Sequence, residues 1–302
     1  MLLPSLYPDL PALRSFLLPV GSGHVLNVQE WGRADGLPAL VLHGGPGSGC
    51  SPLLARFFDP QRYRVICPDQ RGSGRSTPAA GLTDNTTDHL LADLRQLRRV
   101  CGIARWLVVG GSWGAALALA HALDQPDAIE GLLLRSTFLS RASDIDGFFH
   151  GAPERLVRRW RTLPEASGPQ AAELAALWRA WEQARSGMPD SPAPQGPGFD
   201  AMVLRFRVQS HYLRAGCWLQ APGLLERSKE APQVPTLLLH GTDDLVCRPE
   251  AARALNKALP HSRLRWADGA GHDPAHPAMA QRMVDALDSF AAHGSFEAAQ
   301  VA

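Results

Sequence analysis

The chain has 302 residues, 45% hydrophobic and 20% charged, a globular balance that excludes a disordered or collagen-like polymer and suits one α/β domain with an insertion. Thirty Lys and Arg against 29 Asp and Glu leave a formal charge of +1, so no global field draws in nucleic acid or an anionic membrane surface, and a small, near-neutral substrate fits better. The 5 cysteines form no C-x-x-C pair, which argues against a disulfide framework and a structural zinc site and predicts reduced thiols in or near the core.

The N-terminal residues, Met1 to Pro8, carry no basic region and are broken by prolines, and no apolar run approaches the ~18 residues of a membrane span. A soluble, cytoplasmic protein is expected. The first predicted strand is 25–31. A second, 39–43, runs into His43-Gly44-Gly45-Pro46-Gly47, a turn whose glycines let backbone lie close to a substrate oxygen. A third, 64–68, is followed by Asp69-Gln70-Arg71-Gly72-Ser73-Gly74-Arg75-Ser76. No Gly-Lys-[Ser/Thr] follows, so this is a turn pinned by Asp–Arg hydrogen bonds and not a phosphate loop.

After a helix over 87–101, the strand 106–110 leads through Gly110-Gly111-Ser112-Trp113-Gly114 into an alanine-rich helix over 113–124. This is the G-x-S-x-G pattern in its strand–turn–helix setting. The positions two before and two after Ser112 must be small for strand and helix to approach, and Ala115, Ala116, Ala118 and Ala120 serve the same packing. Ser112 is the candidate nucleophile. The N–H of Trp113 and the N–H of Gly45 are the candidate oxyanion-hole donors.

A strand over 131–135 ends the first run of alternating elements. Strands and helices that alternate this way predict a mostly parallel sheet flanked by helices. Between 138 and 232 the strand rhythm stops and the apolar pattern is helical, which reads as an inserted helical cap; 1–137 and 233–302 then form an α/β-hydrolase catalytic domain. Within the cap, the Pro/Gly-rich stretch 186–198 is expected to be a surface loop.

The strand 236–240 delivers Asp243 and Asp244 to the carboxyl edge of the sheet, where open α/β folds bind ligands, and only one of them can face a histidine. A helix over 249–258 precedes the strand 263–267, which is followed by Gly269-Ala270-Gly271-His272, a small-residue loop able to carry an imidazole back over the sheet. His272 is the candidate base, in preference to His43, His240 and His276. The order Ser, acid, His is that of an α/β hydrolase. A final helix over 277–292 precedes a tail expected to fray.

Taken together, HGGPGSG from His43, DQRGSGRS from Asp69, GGSWG from Gly110, GTDDLVCRPE from Gly241 and the AGH ending at His272 resemble the proline iminopeptidase family of the α/β hydrolases. The family's G-R-Y-D-M-V-C-P-P-E aligns its catalytic Asp with Asp244, and its nucleophile and base with Ser112 and His272. The resemblance implies removal of an N-terminal proline from small peptides through an acyl-enzyme, with no cofactor and no metal.

Family members hold the substrate ammonium with two cap glutamates. One, in a Trp-Glu pair, matches Trp181-Glu182. The other begins E-N-H-Y-F, where this chain has Gln209-Ser210-His211-Tyr212-Leu213, so one carboxylate is replaced by an amide. The family's R-G-I-F matches Arg135-Ser136-Thr137-Phe138 and implies that Phe138 walls the substrate pocket. Weaker recognition of a free amino terminus follows, and an esterase or amidase acting on a small acyl substrate is the alternative. A binding protein that keeps the fold without catalysis is a third reading. Nothing in the sequence specifies an oligomeric state.

Overall fold

The computed structural model describes residues 6–188, 191–219 and 221–297. The strands are β1 (Arg14–Gly21), β2 (His24–Gly32), β3 (Leu37–Leu42), β4 (Tyr63–Pro68), β5 (Trp106–Gly111), β6 (Ile129–Arg135), β7 (Thr236–Gly241) and β8 (Ser262–Ala267). They form one sheet in the order β1-β2-β4-β3-β5-β6-β7-β8. The β1–β2 and β2–β4 pairs are antiparallel. From β4 through β3, β5, β6 and β7 to β8 all pairs are parallel. This is the α/β-hydrolase architecture expected from the sequence.

Strands covered on both faces read as continuous apolar runs, and the parallel strands do so because alternate side chains feed two separate cores. Leu40, Leu42, Val108, Leu132 and Leu134 enter one core, with the helices Thr87–Val100 and Trp113–Asp124. Ala39, Val41, Leu107, Val109 and Leu133 enter the other, beneath the helix Pro277–His293. Among the described residues between β6 and β7 the elements are all helical, the longest being Gly168–Ser186 and Pro197–Arg214. We treat this segment as the proposed cap. Its apolar face continues the first core, which includes Trp160, Trp178 and Phe206.

Four expectations need correction. First, β1 went unread: it lies at the sheet edge with alternate residues exposed and carries Pro19, which weakens the strand signal although an edge position tolerates it. Second, Cys50 and Cys67 form a disulfide, leaving Cys101, Cys217 and Cys247 as buried thiols. The fold brings the end of the His43 turn beside β4, a proximity that spacing along the chain does not reveal.

Third, the expected loop over 186–198 is shorter. Ser186 closes one helix, and Pro197 opens the next in the first-turn position that proline favours. Pro189 and Asp190 within it lie outside the described residues. Fourth, the tail after residue 292 does not fray at once, because Phe296 is buried against Phe290 with ring centroids 4.9 Å apart. Residues 298–302, like residues 1–5 of the N-terminal reading, lie outside the described residues. Among the described residues no helix is long and apolar enough to cross a membrane.

Candidate active site

Ser112 follows β5 and caps the helix Trp113–Asp124 with φ 58° and ψ −124°, a conformation that costs a non-glycine residue about 1–3 kcal/mol and lifts its side chain off the sheet edge. Its N–H donates to the Arg135 carbonyl at 3.0 Å. The close approach demands Gly114: a Cβ there would lie 2.0 Å from the Leu42 carbonyl oxygen.

Asp244 follows β7 and is buried, whereas Asp243 faces solvent. Asp244 Oδ1 accepts the N–H groups of Val246 and Cys247 at 3.0 and 2.9 Å, and Oδ2 lies 2.8 Å from His272 Nδ1. Burial pushes this carboxyl up, but the charge and hydrogen bond of His272, with His240 and the Cys247 N–H, outweigh it and hold it at about 2. The backbone of His272 is itself held, its N–H donating to the Ser186 carbonyl at 2.7 Å and its carbonyl accepting from Arg135 Nη1 at 3.0 Å.

The competing histidines are engaged elsewhere. His240 accepts the Thr137 N–H at Nδ1 and donates from Nε2 to the Cys247 carbonyl, 2.8 Å away. His43 pairs with the Gly44 carbonyl at Nδ1 and accepts the Gln70 N–H at Nε2, at 2.9 and 3.0 Å. Burial lowers the pKa of both rings, so they are neutral structural groups. His276 caps the helix Pro277–His293.

Among the described residues the structure gives Ser112 Oγ no hydrogen bond to His272; it lies 3.7 Å from Cys247 Sγ. Burial raises the Cys247 thiol well above its ordinary value, so that sulfur stays protonated and does not compete as a nucleophile. Catalytic hydrogen bonds commonly tighten only once substrate is bound.

Neither the Gly45 N–H nor the Trp113 N–H has an acceptor among the described residues, and Gly45, with φ +112°, lines the same chamber as Ser112. A residue not singled out in the sequence holds the two donors together. Gln70 donates from Nε2 to the His43 carbonyl at 3.0 Å and accepts the Trp113 indole N–H at 2.8 Å. The surrounding turn is pinned by Asp–Arg hydrogen bonds as expected: Asp69 Oδ2 accepts the Arg75 N–H at 3.0 Å, while Arg71 pairs with Asp93 at 2.7 Å.

Glu182, Gln209 and Phe138 all line the Ser112 chamber. Glu182 Oε1 accepts from Arg205 Nη2 at 2.7 Å, whereas Glu182 Oε2 and Gln209 Oε1 are buried without a partner among the described residues. Two unpaired acceptors in one wall call for a ligand that brings N–H donors. A serine on a strained turn, two backbone N–H groups without acceptors among the described residues and this acceptor pair are what acyl transfer from an amine-bearing substrate would require.

Residues 38–276 match the family model for the α/β-hydrolase fold. The chain is 36% identical over 313 aligned positions to a proline iminopeptidase of Xylella fastidiosa (strain 9a5c), covering 95% of this chain and 99% of that protein. Among solved structures it is similar to an esterase, RhEst1, from a Rhodococcus species, with a TM-score of 0.68 and 22% identity over 92% of this chain and 98% of that one. It is also similar to a proline iminopeptidase of Mycobacterium smegmatis, with a TM-score of 0.64 and 21% identity over 93% and 98%. At that identity the two structures speak for the fold.

Proposed function

Because this chain belongs to the proline iminopeptidase family of the α/β hydrolases, we propose that it releases an N-terminal proline from small peptides through an acyl-enzyme on Ser112. Ser112 Oγ attacks the prolyl carbonyl carbon as His272 takes its proton. The carbonyl oxygen becomes an oxyanion between the N–H groups of Gly45 and Trp113, each such donor contributing about 3–4 kcal/mol. Asp244 keeps the imidazole oriented and stabilises its protonated form. The tetrahedral intermediate collapses with His272 protonating the departing amine. Water, deprotonated by His272, then attacks the prolyl ester, and collapse of the second intermediate restores Ser112 and frees proline.

The observation that carries this reading over a general acyl hydrolase is the pair of unpaired acceptors, Glu182 Oε2 and Gln209 Oε1, in the chamber wall beside Ser112. They suit the two N–H groups of a secondary ammonium, with Phe138 against the ring. The alternative, an esterase or amidase with a non-peptide substrate, draws on the same wall: Gln209 is neutral and Arg205 compensates Glu182, so the field holding an ammonium is weak. Prolyl-naphthylamide assayed beside short acyl esters separates the two, the amide being favoured if the peptidase reading holds. Ser112→Ala removes both turnover and fluorophosphonate labelling, with a loss of several orders of magnitude in kcat.

A cytoplasmic location goes with processing of small peptides, but disulfides persist mainly in oxidising compartments, and Cys50–Cys67 argues the other way. Cell fractionation with an intact-mass measurement of the Cys50 and Cys67 redox state decides between them.

A further inference from the structure

Ser112 and His272 border different cavities. Ser112 faces the chamber of Glu182, Gln209 and Phe138, about 40 Å³, and His272 faces a second cavity of about 200 Å³. In acyl transfer the general acid stands on the side of the leaving group, since it must hand that amine a proton. The acyl residue therefore sits in the first space and the departing part of the peptide in the second.

The walls of the second cavity are charged. Besides His272 they include Arg179, Arg205 and Glu182, two guanidiniums against one carboxylate. Glu182 spends Oε1 on Arg205 Nη2, and its other oxygen is unpaired among the described residues. Arg179 Nη2 is anchored on the Ser191 carbonyl and hydroxyl, each at 2.8 Å, and on the Pro192 carbonyl at 3.0 Å, which fixes the guanidinium at the cavity wall. Arg205 is 31% exposed and its Nε has no partner among the described residues. The positive excess thus sits beside the His272 imidazole, in a cavity that adjoins the Ser112 chamber along Glu182.

We infer that this cavity is a leaving-group subsite built for a free carboxylate, so that the preferred substrates are dipeptides with proline first and an unblocked C-terminus. One residue spans about 3.8 Å, which sets the terminal carboxylate of a dipeptide just beyond the scissile bond and within the cavity that His272 lines. Guanidinium is the group suited to take a carboxylate there, by charge-assisted and often bidentate hydrogen bonds. The zwitterion is then matched end to end: ammonium on Glu182 and Gln209, carbonyl at Ser112, carboxylate on Arg179 and Arg205. In a longer peptide the same position carries a neutral amide.

The inference rests on the proline-releasing reading, and its test keeps the two apart. Proline release from Pro-Gly and from Pro-Gly-amide is followed by the full-length protein at low salt. Wild type is expected to show a KM about tenfold lower for the free dipeptide, at similar kcat. Arg179→Gln should bring the ratio of the two KM values toward one, chiefly by raising that of the free dipeptide, and Arg179→Lys should keep part of it. Equal KM values in wild type overturn the inference, as does an Arg179→Gln variant that weakens both substrates alike, which is the mark of a merely structural role for its contacts with Ser191 and Pro192. If neither compound yields proline from protein that still labels at Ser112, the peptidase reading itself falls and the subsite assignment falls with it.

Discussion

Gln209 is 5% exposed and presents an amide oxygen where the family presents a carboxylate, so any hydrogen bond it accepts from an ammonium lacks charge assistance from its own side. Such assistance raises a bond from ~1 to ~1.5–3 kcal/mol. Gln209→Glu is therefore expected to lower KM for a prolyl amide about fivefold, with little change in kcat; an unchanged KM would show that this oxygen does not touch the substrate amine. Asp244 gives a prediction in pH. Its carboxyl is held at about 2, below the ordinary value of about 4, so its contribution is complete above pH 4 and is lost as pH falls toward 2. That contribution is about 2 kcal/mol. Urea midpoints of wild type and Asp244→Asn should differ at pH 5 and converge by pH 2, and a gap that stays constant would contradict the assignment. The residues that the sequence marks are those that local backbone demands reveal, such as Ser112 within its glycines. The contacts of Gln70 and Arg135 could not be read because their partners, His43, Trp113 and His272, lie far off in the chain and come near only in the fold.

The elements that carry the site are β3, β5 and the helix Trp113–Asp124, and they meet at Gly114. Its missing Cβ is what lets the helix begin against β3, since that atom would fall 2.0 Å from Leu42 O and 3.0 Å from His43 O, both backbone. Gly114→Ala must push helix and strand apart, which strains a core made of Trp113, Ala116, Leu117 and Ala120. A loss of about 3 kcal/mol or more in chemical denaturation is expected, with activity falling further than stability because Ser112 and the Trp113 N–H move with the helix. A variant of wild-type stability would show that the turn has room to spare. The buried parallel strands were legible for the same reason that this packing is tight: both faces are covered, so they read as uninterrupted apolar runs. The edge strand β1 and the Cys50–Cys67 bridge were not, the first because half its side chains face water, the second because pairing depends on how β4 comes to lie beside the His43 turn.

Over the whole molecule the proposed cap is tied to the sheet through polar contacts as well as apolar ones. Tyr212, on a cap helix, donates its hydroxyl to Asn85 Oδ1 at 2.6 Å, and its ring lies 5.1 Å from that of Trp113. Asn85 is 0% exposed and spends its amide on the carbonyls of Arg71 and Gly81, so the Tyr212 hydroxyl serves its oxygen. Close by, Thr87 Oγ1 donates to the Cys217 carbonyl at 2.5 Å. On the other side of the site the cap residue Ser186 receives the N–H groups of His272 and Asp273 at 2.7 and 3.2 Å. The proposed cap and the His272 loop are therefore bonded directly, and one apolar cluster runs from Trp178 and Phe206 to Trp113 and Leu42. Such continuity predicts that cap and sheet unfold together. Tyr212→Phe keeps the ring and strands a buried acceptor, which costs about 1–3 kcal/mol. The expected result is one urea transition moved to a lower midpoint, with tryptophan fluorescence and loss of activity coinciding, since the chain carries 8 tryptophans on both sides of the junction. If activity instead disappears in a separate, earlier transition, the cap opens on its own, and the hydroxyl of Tyr212 is a latch on the substrate chamber and no part of a single cooperative core.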